Sequence, residues 1–169
     1  MKKYLVFLGV ILIALSLAAC SKTVSGKGFV VNLPDSPVVA TQQISLPTVG
    51  DVNVNKYTLA VKDPACEVLI ESFKISSAII DAMSPEVLSK ALIPAFYANM
   101  GYTVTPGLAA VKGFSVHEIV ASDQKTIVRV YINKPDYRII KITTGASKID
   151  RAFSDKIFAS FVPAPIVDK

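Results

Sequence analysis

A run of sixteen residues without a formal charge, 4–19, stands between Lys2-Lys3 and Cys20. It conditions the reading of everything after it. A membrane-spanning helix normally needs about 20 apolar residues to cross the hydrocarbon, so this stretch is short for a permanent span. Its basic start, apolar middle and small-residue end are those of a removable export signal. Such a signal places the rest of the chain outside the cytoplasm. Its removal also strips away much of the hydrophobicity that the whole sequence displays.

Leu17-Ala18-Ala19-Cys20 resembles the lipobox of bacterial lipoproteins. In that class a diacylglyceryl thioether forms on the cysteine, and a dedicated peptidase cuts immediately before it. Ala18 and Ala19 suit a narrow peptidase cleft, and Cys20 supplies the thiol nucleophile that alanine lacks. The resemblance covers residues 1–20. It implies palmitate-type acyl chains carried covalently on Cys20, no other cofactor, and envelope lipid as a partner. Each buried methylene contributes roughly 0.8 kcal/mol, and a single acyl chain holds only reversibly. The two or three chains of a mature lipoprotein therefore anchor a domain without any protein helix. Ser21 follows the cysteine, where an aspartate favours inner-membrane retention in bacteria with two membranes. The resemblance accordingly implies an outer-membrane anchor facing the periplasm.

Cleavage leaves residues 20–169, a chain of 150 residues. That is enough for one domain with its own core. Lys plus Arg falls from 18 to 16 against 13 Asp plus Glu, so the mature charge is about +3. Nucleic acid is a poor partner for such a chain, because it is exported and its lysines are scattered rather than clustered. Lipid on Cys20 leaves Cys66 as the remaining cysteine, so no intrachain disulfide is available. Cys66 is expected to be a buried or unreactive thiol.

The chain divides into a signal at 1–19, an anchor with an extended tether or edge segment at 20–50, and a compact envelope domain at 51–169. SKTVSGKG at 21–28 reads as a flexible spacer. Pro34, Pro37 and Pro47 punctuate the following stretch, which is either a tether or irregularly connected edge strands. Strands are expected at 52–61 and 68–75, with a helix through 67–80 as the competing reading of the second. Ser84-Pro85-Glu86 signals a helix start, with Pro94 as a kink. A short strand at 102–105 should break at Pro106-Gly107. Strands at 114–120, 126–132 and 137–143, joined by short polar turns, predict an antiparallel meander. Ser147 is the expected cap of a last helix running to about Phe158. Together these elements predict an α+β fold, an antiparallel sheet covered by one or two helices.

Motifs for chemistry are few. His117 and Glu118 are adjacent on a strand and so face opposite sides. His117 is expected at the surface or its boundary. No spacing marks a metal site, a phosphate loop or a nucleophile elbow. Arg129, Tyr131, Tyr137 and Lys141 form a mildly basic, aromatic set that could bind an acidic protein, glycan or lipid headgroup if the two strand faces carrying them coincide. Exposed sheet edges could recruit a partner strand, and self-association is possible. The leading expectation is a noncatalytic component of an envelope assembly such as a secretion, conjugation or pilus machine. The alternatives are a lipoprotein binding a small molecule, lipid or cell-wall fragment, and an envelope hydrolase.

Replacing Cys20 by alanine should block lipidation and release or mislocalise the domain. Intact mass spectrometry checks this: a lipid-sized mass increment that persists in Cys20→Ala would remove the anchor assignment.

Overall fold

The computed structural model describes residues 21–46, 50–85, 87–88 and 102–167. The lipobox residues Leu17, Ala18, Ala19 and Cys20 lie outside them, as does most of the helix expected from Ser84. Within the described residues no helix is long and apolar enough to cross a membrane.

Among the described residues, ten strands and two short helices follow one another. β1 (Lys22–Gly26), β2 (Phe29–Leu33), β3 (Val38–Leu46), β4 (Gly50–Lys62) and β5 (Ala65–Lys74) precede α1 (Ala78–Ala82). Then come β6 (Tyr102–Val111), β7 (Phe114–Ala121), β8 (Thr126–Asn133), β9 (Asp136–Thr144), α2 (Arg151–Ser160) and β10 (Val162–Pro163). Every pairing is antiparallel. A large sheet has the order β3-β4-β5-β9-β8-β7-β6, and a small one the order β1-β2-β10. Among the described residues the fold is dominated by sheet. One face of the large sheet is covered by β2 of the small sheet together with α2.

The sequence pattern explains this layering. In β2, Phe29, Val31 and Leu33 point inward while Val30 and Asn32 point out, the alternation of a strand with one wet face. In β8 and β9 nearly every residue is buried, because these central strands are covered on both faces. The first face of the large sheet packs Tyr57, Ile70, Phe114, Tyr131 and Ile140 against β2 and the α2 residues Ile157 and Phe158. Phe29 lies edge-on to Tyr57 at 4.8 Å and stacks on Phe161 at 5.3 Å. The second face packs Val54, Phe73, Val130, Tyr137 and Ile139 with Ile80 and Leu88. α1 is capped by Ser77, whose side chain accepts the Ile80 N–H.

Arg138 joins the two sheets. It lies on β9 on the first face and is fully buried. Its Nε donates to the Gly28 carbonyl at 2.8 Å, in the turn between β1 and β2. Its Nη1 donates to the Tyr137 carbonyl at 2.7 Å. Its Nη2 donates to the Ala164 carbonyl and to Asp136 Oδ1, the latter at 3.3 Å. Asp136 Oδ1 also accepts the Ile166 N–H at 2.9 Å. One guanidinium thus fastens the β1–β2 turn and the C-terminal segment onto the large sheet. Gly28 is required for this approach, since a Cβ there would stand 2.1 Å from Nη2 and its φ is +78°.

Several expectations need correction. Residues 21–28 are not a spacer: Lys22–Gly26 pairs with β2 in full register, because inward-facing Phe29, Val31 and Leu33 bring the hairpin onto the core. The strand at 102–105 does not stop at Pro106-Gly107. β6 continues to Val111, absorbing the proline through register shifts around Leu108. Asp150, not Ser147, caps α2, its carboxylate accepting the Phe153 N–H at 3.0 Å. The Ile149 N–H is already committed to the Gln124 carbonyl at 2.9 Å, which holds the preceding loop away from helical geometry. Over 67–80 the strand forms, as Ala65–Lys74, and helix appears only beyond it as α1.

Arg138→Met should lower stability by about 3–5 kcal/mol, because it leaves Asp136 buried without its cation. Urea unfolding measures the loss. Adding Asp136→Asn should recover part of it, since the amide oxygen still accepts from Ile166 without a buried charge.

Candidate interaction surface

The set predicted for binding does not assemble. Arg129 and Tyr131 share the first face of β8, whereas Tyr137 and Lys141 share the second face of β9. The pairing Ile132↔Tyr137 and Tyr131↔Arg138 fixes this, because opposed residues in an antiparallel ladder point to one side. Tyr131 and Tyr137 are buried core residues, and Lys141 is half-buried. Tyr131 packs on Phe161 with centroids 4.7 Å apart. Tyr137 stacks on Phe73 at 5.6 Å. Burial pushes both phenols up to about 12, with Arg129 opposing the shift at Tyr131 and Asp81 adding to it at Tyr137.

Arg129 belongs instead to a charge network. Its Nε donates to Glu118 Oε2 at 2.8 Å, and Arg151 Nη1 donates to Glu118 Oε1 at 3.0 Å. The Arg129 guanidinium lies 4.2 Å from the centre of the Phe158 ring. These contacts tie β7, β8 and α2 together. His117 and Glu118 face opposite sides, in keeping with strand geometry, but His117 is buried rather than at the surface. β7 lies between β8 and β6, and its residues from His117 to Ile119 are buried on both faces. Among the described residues no group of three or more His, Cys, Asp and Glu is arranged to hold a metal. Cys66 is half-buried on β5. Desolvation, with the charge of Asp150 adding to it, pushes its thiol up to about 11.

The accessible feature of the sheet is its β3 edge. β3 pairs with β4 from Val38↔Thr58 to Leu46↔Gly50, and among the described residues no strand lies on its other side. Val38 is 74% exposed and Val39 60%. Residues 38–43 are exposed on both faces, while Ile44 is half-buried and packs against the second core. The strand contains no charged residue and no proline. Proteins usually protect an edge with short length, lysine, proline or a bulge. The other edges here carry such protection. β6 has Pro106 and register shifts. β1 is five residues long and carries Lys22, paired with Asp35 at 2.5 Å. β10 has two residues, one of them Pro163. β3 is nine residues long and has none of these devices.

Beside β3 lies a cleft of about 550 Å³. The β3–β4 hairpin contributes Thr41, Asn53 and Asn55. Lys27 of the β1–β2 turn and Ile166 of the C-terminal segment close the other side. Its walls are mostly amides, a hydroxyl and ammonium groups, because the alternation that buries Tyr57 and Leu59 in β4 becomes polar at Asp51, Asn53 and Asn55. Sequence reasoning left 29–50 open between tether and edge. The missed signal was the uninterrupted run 38–46, long enough for a strand and lacking any edge protection.

No family model matches this chain, and no curated protein matches it.

The raised thiol predicts slow alkylation at Cys66. At pH 8 its thiolate population should be about a hundred times smaller than that of a thiol titrating at the ordinary value. Higher intrinsic nucleophilicity offsets part of this, leaving a rate about tenfold slower. Iodoacetamide labelling in a Cys20→Ala background should keep accelerating above pH 9. A plateau near pH 9 would contradict the desolvated thiol.

Proposed function

We propose that this chain is a noncatalytic, lipid-anchored component of a bacterial envelope assembly, such as a secretion, conjugation or pilus machine, and that it engages its partner by strand addition at β3. The observation that carries the reading is the long, uncharged, proline-free edge of the large sheet. In such an edge alternate residues turn their N–H and C=O outward, so nine residues offer roughly four or five of them to a partner strand. Backbone pairing supplies the attraction, and the exposed Val38 and Val39 add apolar contact at one end. In this reading the N-terminal lipid supplies location, outer-membrane attachment supplies orientation, and the α+β domain is a rigid mount for the edge.

A second reading, binding of a polar small molecule or cell-wall fragment, is favoured by the cleft of about 550 Å³ next to the same hairpin. That volume falls in the range of about 300–1,000 Å³ typical of ligand sites. Its polar walls suit a hydroxyl- or amide-rich ligand better than a lipid tail.

Thr41→Pro should weaken partner capture at least about tenfold, a loss of roughly 1.4 kcal/mol, while leaving the unfolding midpoint nearly unchanged if its N–H points outward. Gln42→Pro covers the alternate case, since neighbouring amides point to opposite edges. A photoreactive residue at Val39 in intact cells, with mass identification of the adduct, reads the capture. Full capture in both proline variants would overturn strand addition.

A further inference from the structure

We infer that the strand added to β3 is β3 of a second copy of this chain, joined antiparallel about a two-fold axis beside Gln42. The inference rests on the reading of β3 as a docking edge and names its occupant.

Three observations support it. The first is charge. A strand that pairs with itself places each residue opposite a residue of its own sequence, so any charge near its centre would meet its own sign. Residues 38–46 carry no charge at all. Removing every charge is not needed to accept a foreign strand, which could carry complementary ones, but it suits self-pairing.

The second observation is register. A two-fold pairing must centre on a residue, because a shift by one would oppose side chains from different faces. Centring on Gln42, the midpoint of Val38–Leu46, uses the whole strand. Val38 then lies opposite Leu46, Ala40 opposite Ile44 and Thr41 opposite Gln43. Gln42 meets Gln42 of the second copy, and paired amides can hydrogen-bond to each other. Polar residues thus meet polar ones at the centre, Ala40 meets Ile44, and Val39 meets Ser45.

The third observation is the contrast among edges. Joining β3 to β6 of another copy would build an open chain of molecules, but Pro106 and the register shifts in β6 interrupt that ladder. The short β1 and β10 offer little pairing length. β3 against β3 is the uninterrupted edge-to-edge pairing available to the described strands, and a two-fold contact closes after two copies. The product is one continuous sheet across the dimer. Edge pairing alone buries little area compared with a stable interface of about 1,600 Å², so the dimer should form reversibly, helped by confinement to a membrane surface.

The test uses the full chain expressed in the envelope, with Cys66→Ser to remove the competing thiol. Directly opposed residues in an antiparallel pair have Cα atoms about 4.5–5.5 Å apart, within disulfide range of about 4.4–6.8 Å. Gln42→Cys should therefore give an oxidised band at twice the monomer mass, and Lys125→Cys, in a distant turn, should not. Gln42→Lys in a chain bearing a photoreactive residue at Val39 should reduce self-adduct at least about tenfold. Co-expressing Gln42→Glu should restore it, because opposite charges then face each other. Gln42 is exposed, so these variants leave the core intact. No dimer band with Gln42→Cys, or self-adduct indifferent to the charge pair, would overturn the inference. Capture of a different protein at Val39 with no self-adduct would overturn the second copy while leaving β3 a docking edge. No adduct of any kind would overturn both.

Discussion

The fold depends on a buried cation. Arg138 stands inside the molecule and donates to carbonyls of the β1–β2 turn, its own strand and the C-terminal segment, with Asp136 as counter-charge. Burial pulls its guanidinium below its ordinary value, and the Asp136 carboxylate opposes that shift. A buried ion pair contributes little net stability by itself. What it does here is geometric: carbonyls at a turn and at a chain end lack ladder partners, and a fork of rigid donors satisfies several of them together. The small sheet consequently sits in one place on the large one, and the cleft beside β3 takes its far wall from the segments that Arg138 holds.

That fixed scaffold gives the β3–β4 hairpin its meaning. Toward β5 and β9 the large sheet is covered on both faces and reads as continuous apolar sequence. Toward β3 the covering layers end, both faces open, and the residues become Thr, Gln, Asn and Ser. A strand in this position needs no apolar alternation to form, because β4 supplies its ladder.

Much of the architecture was legible in the chain. The β7–β8–β9 meander could be read from β-branched runs separated by short polar turns, and β4 from Tyr57, Leu59 and Val61. Asp123-Gln124 and Pro135 marked turns correctly, because local backbone preferences act without tertiary help. β1 was not legible: KTVSG has too little apolar content to form a strand alone and depends on β2. The binding set failed for a reason of parity. Arg129–Tyr131 and Tyr137–Lys141 each share a face within one strand, but the register across the turn puts those faces on opposite sides. A two-residue count along a strand cannot reveal that.

The sequence by itself determined that an uncharged run of sixteen residues ends in a lipobox-like Leu17-Ala18-Ala19-Cys20, that the chain has two cysteines, and that most of its strands are antiparallel neighbours. These follow from composition, spacing and short turns, which are local properties. Only the tertiary structure decided that a second sheet covers the first, that Arg138 is internal, that Tyr131 and Tyr137 are core, and that β3 is an edge among the described strands. Each of those depends on which strand lies beside which. Long-range pairing sets that order, and no short stretch of sequence contains it.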